Sequence, residues 1–161
     1  MISLLLSLLS SPYSFEVKRG PSLEVVSSMR VNDQVDTTTY GATLRLSFIS
    51  ASEKDAFISP ELSASFDWIP NHKNLQPKSR QIGDLGIFAY EIYNPWSFRV
   101  GVGSSLEHRA DDWKPGLFAR AGLGYYFTKR MSAWVDAGQR LLFRSKWSYP
   151  IDFGLGLQIV I

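Results

Sequence analysis

The chain has 161 residues, of which 45% are hydrophobic and 20% charged, with a formal net charge of +2 and no cysteine. That length points to one domain, and the near-balanced charge gives no global attraction to nucleic acid. The lack of cysteine excludes disulfides and thiolate metal sites.

The chain starts with the apolar run "MISLLLSLLSS". It is shorter than the roughly 20 residues a spanning helix needs and has the character of a secretory h-region. Residues 1–20 are therefore read as a signal-like N-terminal segment and 21–161 as one β domain. No other stretch reaches the length of a helical membrane span.

From Pro21 onward the apolar residues recur with a period of two, which is the signature of strands with two unlike faces. The first strand, 22–31, sets Leu23, Val25, Met29 and Val31 against Glu24, Ser28 and Arg30. In the second, 37–50, Tyr40, Ala42, Leu44, Leu46 and Phe48 alternate with Gly41, Thr43, Arg45 and Ser47. The third, 57–69, sets Ile58, Leu62, Ala64, Phe66 and Trp68 against Ser59, Glu61, Ser63, Ser65 and Asp67. The fourth, 82–93, is ambiguous: Leu85, Ile87 and Ala89 compete with Phe88, Tyr90 and Ile92. Either both of its faces are apolar or a bulge changes its register.

The fifth strand, 97–107, sets Phe98, Val100, Val102 and Leu106 against Arg99, Gly101, Gly103, Ser105 and Glu107. The sixth, 116–127, sets Leu117, Ala119, Ala121, Leu123, Tyr125 and Phe127 against Arg120, Gly122 and Gly124. The seventh, 131–143, sets Met131, Ala133, Val135, Ala137 and Leu141 against Ser132, Trp134, Asp136, Gly138 and Arg140. The eighth, "IDFGLGLQIVI", carries Ile151, Phe153, Leu155, Leu157, Ile159 and Ile161 on its apolar face. Strands of this length suit a tilted crossing of a bilayer, which takes about 9 to 11 residues. The connections alternate as well: "NPW" (94–96) and "TKR" (128–130) are tight, while 70–81 and 108–115 are long.

The polar face decides which side is the inside. It is rich in glycine, which weakens a strand facing water but fits the packed interior of an eight-stranded barrel. The apolar face has Tyr40, Phe48, Trp68, Phe98, Tyr125 and Phe127 near strand ends and aliphatic residues between them. Aromatic girdles around an aliphatic band are expected of a wall facing lipid. The fold expected is an all-β, eight-stranded, antiparallel up-and-down transmembrane barrel. The alternative is a soluble, lipocalin-like ligand carrier with its apolar face inward.

Antiparallel pairing of the second and third strands can place Leu44 opposite Leu62, Phe48 opposite Ile58 and Arg45 opposite Glu61. Pairing of the seventh and eighth can place Arg140 opposite Asp152. Arg30, Arg120 and Asp136 share this facing with Glu24 and Arg99, so a ladder of lumenal ion pairs is expected.

The stretch "GLFARAGLGYYFTKRMSAWVDAG" (116–138) and the closing "GLQIVI" (156–161) resemble the strand–turn–strand stretches and the C-terminal signal of small OmpA/OmpX-type outer-membrane barrels. Ile161 stands where that signal normally has an aromatic residue. The resemblance implies a bacterial outer-membrane location. It also implies surroundings of membrane lipid and lipopolysaccharide, and insertion by the barrel-assembly machinery.

Little in the sequence carries chemistry. His108, with Ser104 or Ser105 and with Glu107, Asp111 or Asp112, is the one catalytic arrangement that can be drawn. It lacks the His-x-Ser spacing of PagL-like lipid A-modifying hydrolases. "HRADD" is only weakly like the rim of omptin-like proteases. No metal or cofactor site is expected. His72, Lys73, Lys78, Arg80, Arg144 and Lys146 make the far loops basic, a candidate contact surface for lipopolysaccharide phosphates or an acidic partner. The expected role is non-enzymatic: a structural or interaction barrel, or an accessory subunit beside another outer-membrane protein.

Overall fold

The computed structural model describes residues 16–31, 38–50, 56–68, 79–93, 95–109, 112–143 and 149–161. The eight strands are β1 (Gly20–Val31), β2 (Thr38–Ile49), β3 (Ala56–Trp68), β4 (Ser79–Tyr93), β5 (Trp96–Arg109), β6 (Asp112–Tyr126), β7 (Met131–Leu142) and β8 (Ile151–Val160). Each is hydrogen-bonded to its sequence neighbours, and β8 returns to β1, so the sheet closes and leaves no open edge. Both the start of β1 and the finish of β8 lie at the end that holds the turns joining β4 to β5 and β6 to β7. This is called the turn end below, and the opposite end the loop end. No helix among the described residues is long and apolar enough to cross a membrane, which has no bearing on crossing by strands.

The alternation in sequence becomes an alternation in space. Ile58, Val102 and Leu155 are 73%, 62% and 65% exposed on the outer wall. Glu24, Arg99 and Glu107 are buried inside. A soluble carrier would have the reverse arrangement. The outer wall has two aromatic belts. Tyr40 pairs directly with Trp68 at the loop end, with Trp113 also exposed there. At the turn end Trp96 meets Tyr125 edge-on at 5.1 Å, and Tyr93 meets Phe98 at 6.3 Å.

β4 pairs without a break with both neighbours, so both of its faces are apolar and no bulge intervenes. Its inward residues Phe88, Tyr90 and Ile92 join Val17, Ile49, Phe118, Tyr126, Trp134 and Val160 in an apolar cluster that fills the turn half of the lumen. Val17 is 1% exposed, so packing on the barrel begins ahead of Pro21. Residues 1–15 of the signal-like segment lie outside the described residues.

Three sequence expectations about strand pairing and extent need correction. β2 pairs with β3 so that Leu44 faces Ala64, Leu46 faces Leu62 and Arg45 faces Ser63. β7 pairs with β8 so that Gly138, not Arg140, faces Asp152. Both registers differ by two residues from those expected, and a two-residue shift keeps every side chain on its own face. The 108–115 stretch is mostly strand rather than loop: His108 pairs with Trp113 and Arg109 with Asp112. The ladder there runs on past the apolar band because a paired backbone needs no apolar side chains.

The outward wall makes a direct prediction. Val100 is 59% exposed and lies mid-wall between Ala89 and Ala121. Val100→Arg is expected to cost about 2–4 kcal/mol in lipid vesicles, the range for a cation near the bilayer midplane. On a soluble barrel such a surface change stays within about 0.5 kcal/mol. Urea unfolding of the vesicle-inserted protein measures the difference.

Candidate functional site

The lumen holds an unbroken chain of alternating charges. It starts near the turn end, where the Arg99 guanidinium lies between two carboxylates. Nη1 and Nη2 donate to Glu24 at 2.6 and 2.9 Å, and Nε and Nη2 to Asp136 at 3.0 and 2.7 Å. The same guanidinium stacks 4.2 Å from the Trp134 ring centre. Arg45 carries the chain on, donating to Asp136 at 2.5 Å and lying 3.8 Å from Glu61. Arg120 spans Glu61 at 2.7 Å and Asp84 at 3.3 Å. Arg140 joins Asp84 to Asp152, the latter at 2.6 Å. Arg30 bonds both Asp152 and Asp67. Arg80 ends the chain, 2.8 Å from Asp67 and 3.6 Å from Glu107.

Every arginine in this chain touches at least two carboxylates, and charges that opposing strands contribute lock those strands together. The planar guanidinium makes this possible, since it donates in several directions from one rigid fork. Hydroxyls fill the gaps: Ser105 accepts from Arg140 at 2.6 Å, Thr39 from Arg80 at 3.0 Å, and Ser63 donates to Asp84 at 3.1 Å. Below the chain, Trp134 Nε1 donates to Ser132 and Gln158 at 2.9 and 3.1 Å, and Gln158 donates to Ser22 at 3.2 Å. The space left among Ser28, Arg30, Arg45, Arg120, Arg140 and Asp152 is about 20 Å³, room for about one water. Within the described residues the lumen is filled by these buried side chains.

Of the residues singled out from sequence, the structure sets Arg45 beside Glu61 and Arg140 beside Asp152, in each case on a diagonal rather than directly opposite. Arg30, Arg120 and Asp136 lie in the same chain. Arg80 is a correction: it is not an outer-loop cation but a lumenal side chain 1% exposed. β4 begins at Ser79, and its parity turns Arg80 inward onto Asp67. His72, Lys73, Lys78, Arg144 and Lys146 lie outside the described residues. Asp67, Asp84, Glu107 and Arg80 are links that the sequence reading did not assign to the ladder; their parity within β3, β4 and β5 was the signal.

The residues of the drawn catalytic arrangement point in different directions. Ser105 and Glu107 face the lumen and are buried. Ser104 faces out and donates to the Leu85 carbonyl at 3.5 Å. His108 also faces out, its ring tilted against Trp113 at 4.5 Å, four residues and therefore about 13 Å along the strand from Ser104. Asp112 is on the surface, 3.2 Å from Lys114. Asp111 lies outside the described residues. Among the described residues no group of three or more His, Cys, Asp or Glu side chains is placed to hold a metal.

No protein-family model matches the sequence, and no curated protein is significantly similar to it. Solved structures do match the fold. Neisserial surface protein A superimposes with a TM-score of 0.61 at 11% identity, over 92% of this chain and 100% of that one. Ail, the attachment invasion locus protein of Yersinia pestis, gives 0.58 at 12% identity over 91% and 100%. The chain has the fold of the small eight-stranded outer-membrane barrels. The outer membrane enzyme PagL is also similar, with a TM-score of 0.55 at 14% identity over 86% of this chain and 99% of that one. This barrel fold thus carries both enzymes and other proteins, and any role must be argued from the side chains.

Proposed function

We propose that this is a non-enzymatic integral barrel of a bacterial outer membrane that holds its loop end rigid for contacts with lipopolysaccharide or a neighbouring protein. The observation that carries the reading is the pairing of an apolar outer wall with a lumen closed by the Glu24-to-Glu107 charge chain. A wall of this kind requires hydrocarbon around it. A lumen of this kind transmits nothing large, so what remains to act is the surface at the two rims. The separation of Ser104 and His108 from the inward Ser105 and Glu107 supports a non-catalytic role. The basic residues His72, Lys73, Lys78, Arg144 and Lys146 supply the charge for an anionic contact at the loop end.

The test has two parts. Membrane extracts in detergent, run unheated and boiled, are expected to give two mobilities, the unheated form being the folded barrel. In planar bilayers the purified protein is expected to show no steady conductance of the open-porin kind. A protein that remains soluble without detergent, or a steady large conductance, overturns the reading.

A further inference from the structure

The turn end carries a second feature that the charge chain leaves unused. Residues 127–130, between β6 and β7, are all exposed. Thr128 fixes this hairpin: its hydroxyl accepts the N–H groups of Arg130 and Met131 at 3.2 and 3.0 Å. Lys129 and Arg130 therefore stand at the tip of a defined turn. The Arg130 carbonyl accepts the Val160 N–H at 2.8 Å, and the Lys129 carbonyl accepts the Lys18 N–H at 2.8 Å. The second bond lays Lys18 and Arg19 against the same rim. No carboxylate among the described residues pairs with these four cations, in contrast to the lumen, where every arginine is neutralised.

Directly beside Lys129 and Arg130 is an open groove of about 600 Å³, whose apolar part is Met131, Ile159 and Ile161. Ile159 and Ile161 are 44% and 64% exposed on the outer wall, and Met131 is the ladder partner of Ile159. Unpaired cations at the level of the aromatic belt, with an apolar groove running from them along the wall, match the two halves of an anionic amphiphile. A purely hydrophilic anionic polymer would use the cations and leave the groove empty.

We propose that this rim binds an anionic phospholipid of the leaflet around the turn end. Its phosphate lies against Lys129 and Arg130 and one acyl chain along Met131, Ile159 and Ile161. Clustered basic residues at a bilayer surface attract anionic headgroups, and the fixed turn holds two of them in place before the lipid arrives. The proposal rests on the membrane-spanning reading above.

The experiment is native mass spectrometry of the full chain in detergent, with equimolar phosphatidylglycerol and phosphatidylcholine carrying identical acyl chains. The wild type is expected to retain phosphatidylglycerol in at least about fivefold excess. K129E/R130E should bring the two lipids close to parity. Ile159→Ser should lower retention of both while keeping the preference. Equal retention by the wild type, or an unchanged preference in K129E/R130E, overturns the proposal. It is also overturned if that variant loses only co-sedimentation with peptidoglycan sacculi, which would make the partner the wall polymer. A heat-dependent mobility shift in each variant shows that the barrel is folded. Loss of the shift in the wild type would instead sink the membrane reading itself.

Discussion

Arg99→Met is expected to be the most damaging single change in the lumen, costing about 3–5 kcal/mol. Arg99 links the Trp134 ring to the carboxylates of Glu24 and Asp136. Methionine fills much of the volume but leaves both acids buried with fewer cations. Asp136 would keep Arg45 at 2.5 Å, and Glu24 only the longer contact to Arg45 at 3.3 Å. The penalty is that of uncompensated charge, so removing the charge should restore stability. The double variant R99M/E24Q is expected to regain most of the loss, because it removes one buried charge of each sign and leaves Asp136 paired with Arg45. Urea unfolding in vesicles, followed by tryptophan fluorescence, checks both. A double variant as unstable as Arg99→Met would show that the geometry of Arg99, and not its charge, holds this layer together.

The ion-pair chain also separates what the sequence carries from what only the fold decides. Strand number and the facing of each side chain follow from the period of two, because a face that meets lipid tolerates few polar residues. Register does not follow. Sliding β2 past β3 by two residues exchanges Leu62 for Ala64 opposite Leu44, and both are apolar and outward. The hydrophobic pattern cannot tell such registers apart. Arg45 still lies 3.8 Å from Glu61, since an arginine reaches a diagonal neighbour as easily as a direct one. The stretch around Arg80 was opaque for another reason. "QPKSRQIGD" mixes proline, lysine and glycine in the manner of a loop, and the outward side of β4 there is Gln81 and Gly83 rather than a large apolar residue. Only the ladder with β3, which pairs Asp67 with Arg80, shows that the strand has already begun. The basic rim at Lys129 was legible as a tight turn, but its neighbours Lys18 and Ile161 come from the far ends of the described chain, and only closure of the barrel brings them together.

Glycine placement gives the second large expected effect. Gly86 and Gly103 are direct partners across β4 and β5, and the Phe118 ring lies over both. A Cβ built on Gly103 would be 2.2 Å from the Leu85 carbonyl oxygen, 2.5 Å from Gly86 Cα and 2.8 Å from the Phe118 ring. Two of those three atoms are backbone, so a rotamer change cannot relieve the contact, and the strands must move apart. Gly103→Ala is therefore expected to destabilise the barrel by about 1–3 kcal/mol or more, despite alanine's lower backbone entropy cost. Phe118→Ala in the same chain should recover little, because the backbone contacts remain. Gly124→Ala should behave differently. Its Cβ would meet only the Trp134 ring among its nearest atoms, at 2.6 Å, and smaller residues at 134 should relieve it. Gly83→Ala is the matched control: nothing lies within 4 Å of its added Cβ, and the residue faces outward, so the change should stay within about 0.5 kcal/mol. Heat-modified mobility across a urea series ranks the three. Equal effects at positions 83 and 103 would mean that the close contacts at Gly103 do not set its stability. A loss confined to Gly103 and Gly124 would identify the glycines as the spaces into which Phe118 and Trp134 pack to close the lumen.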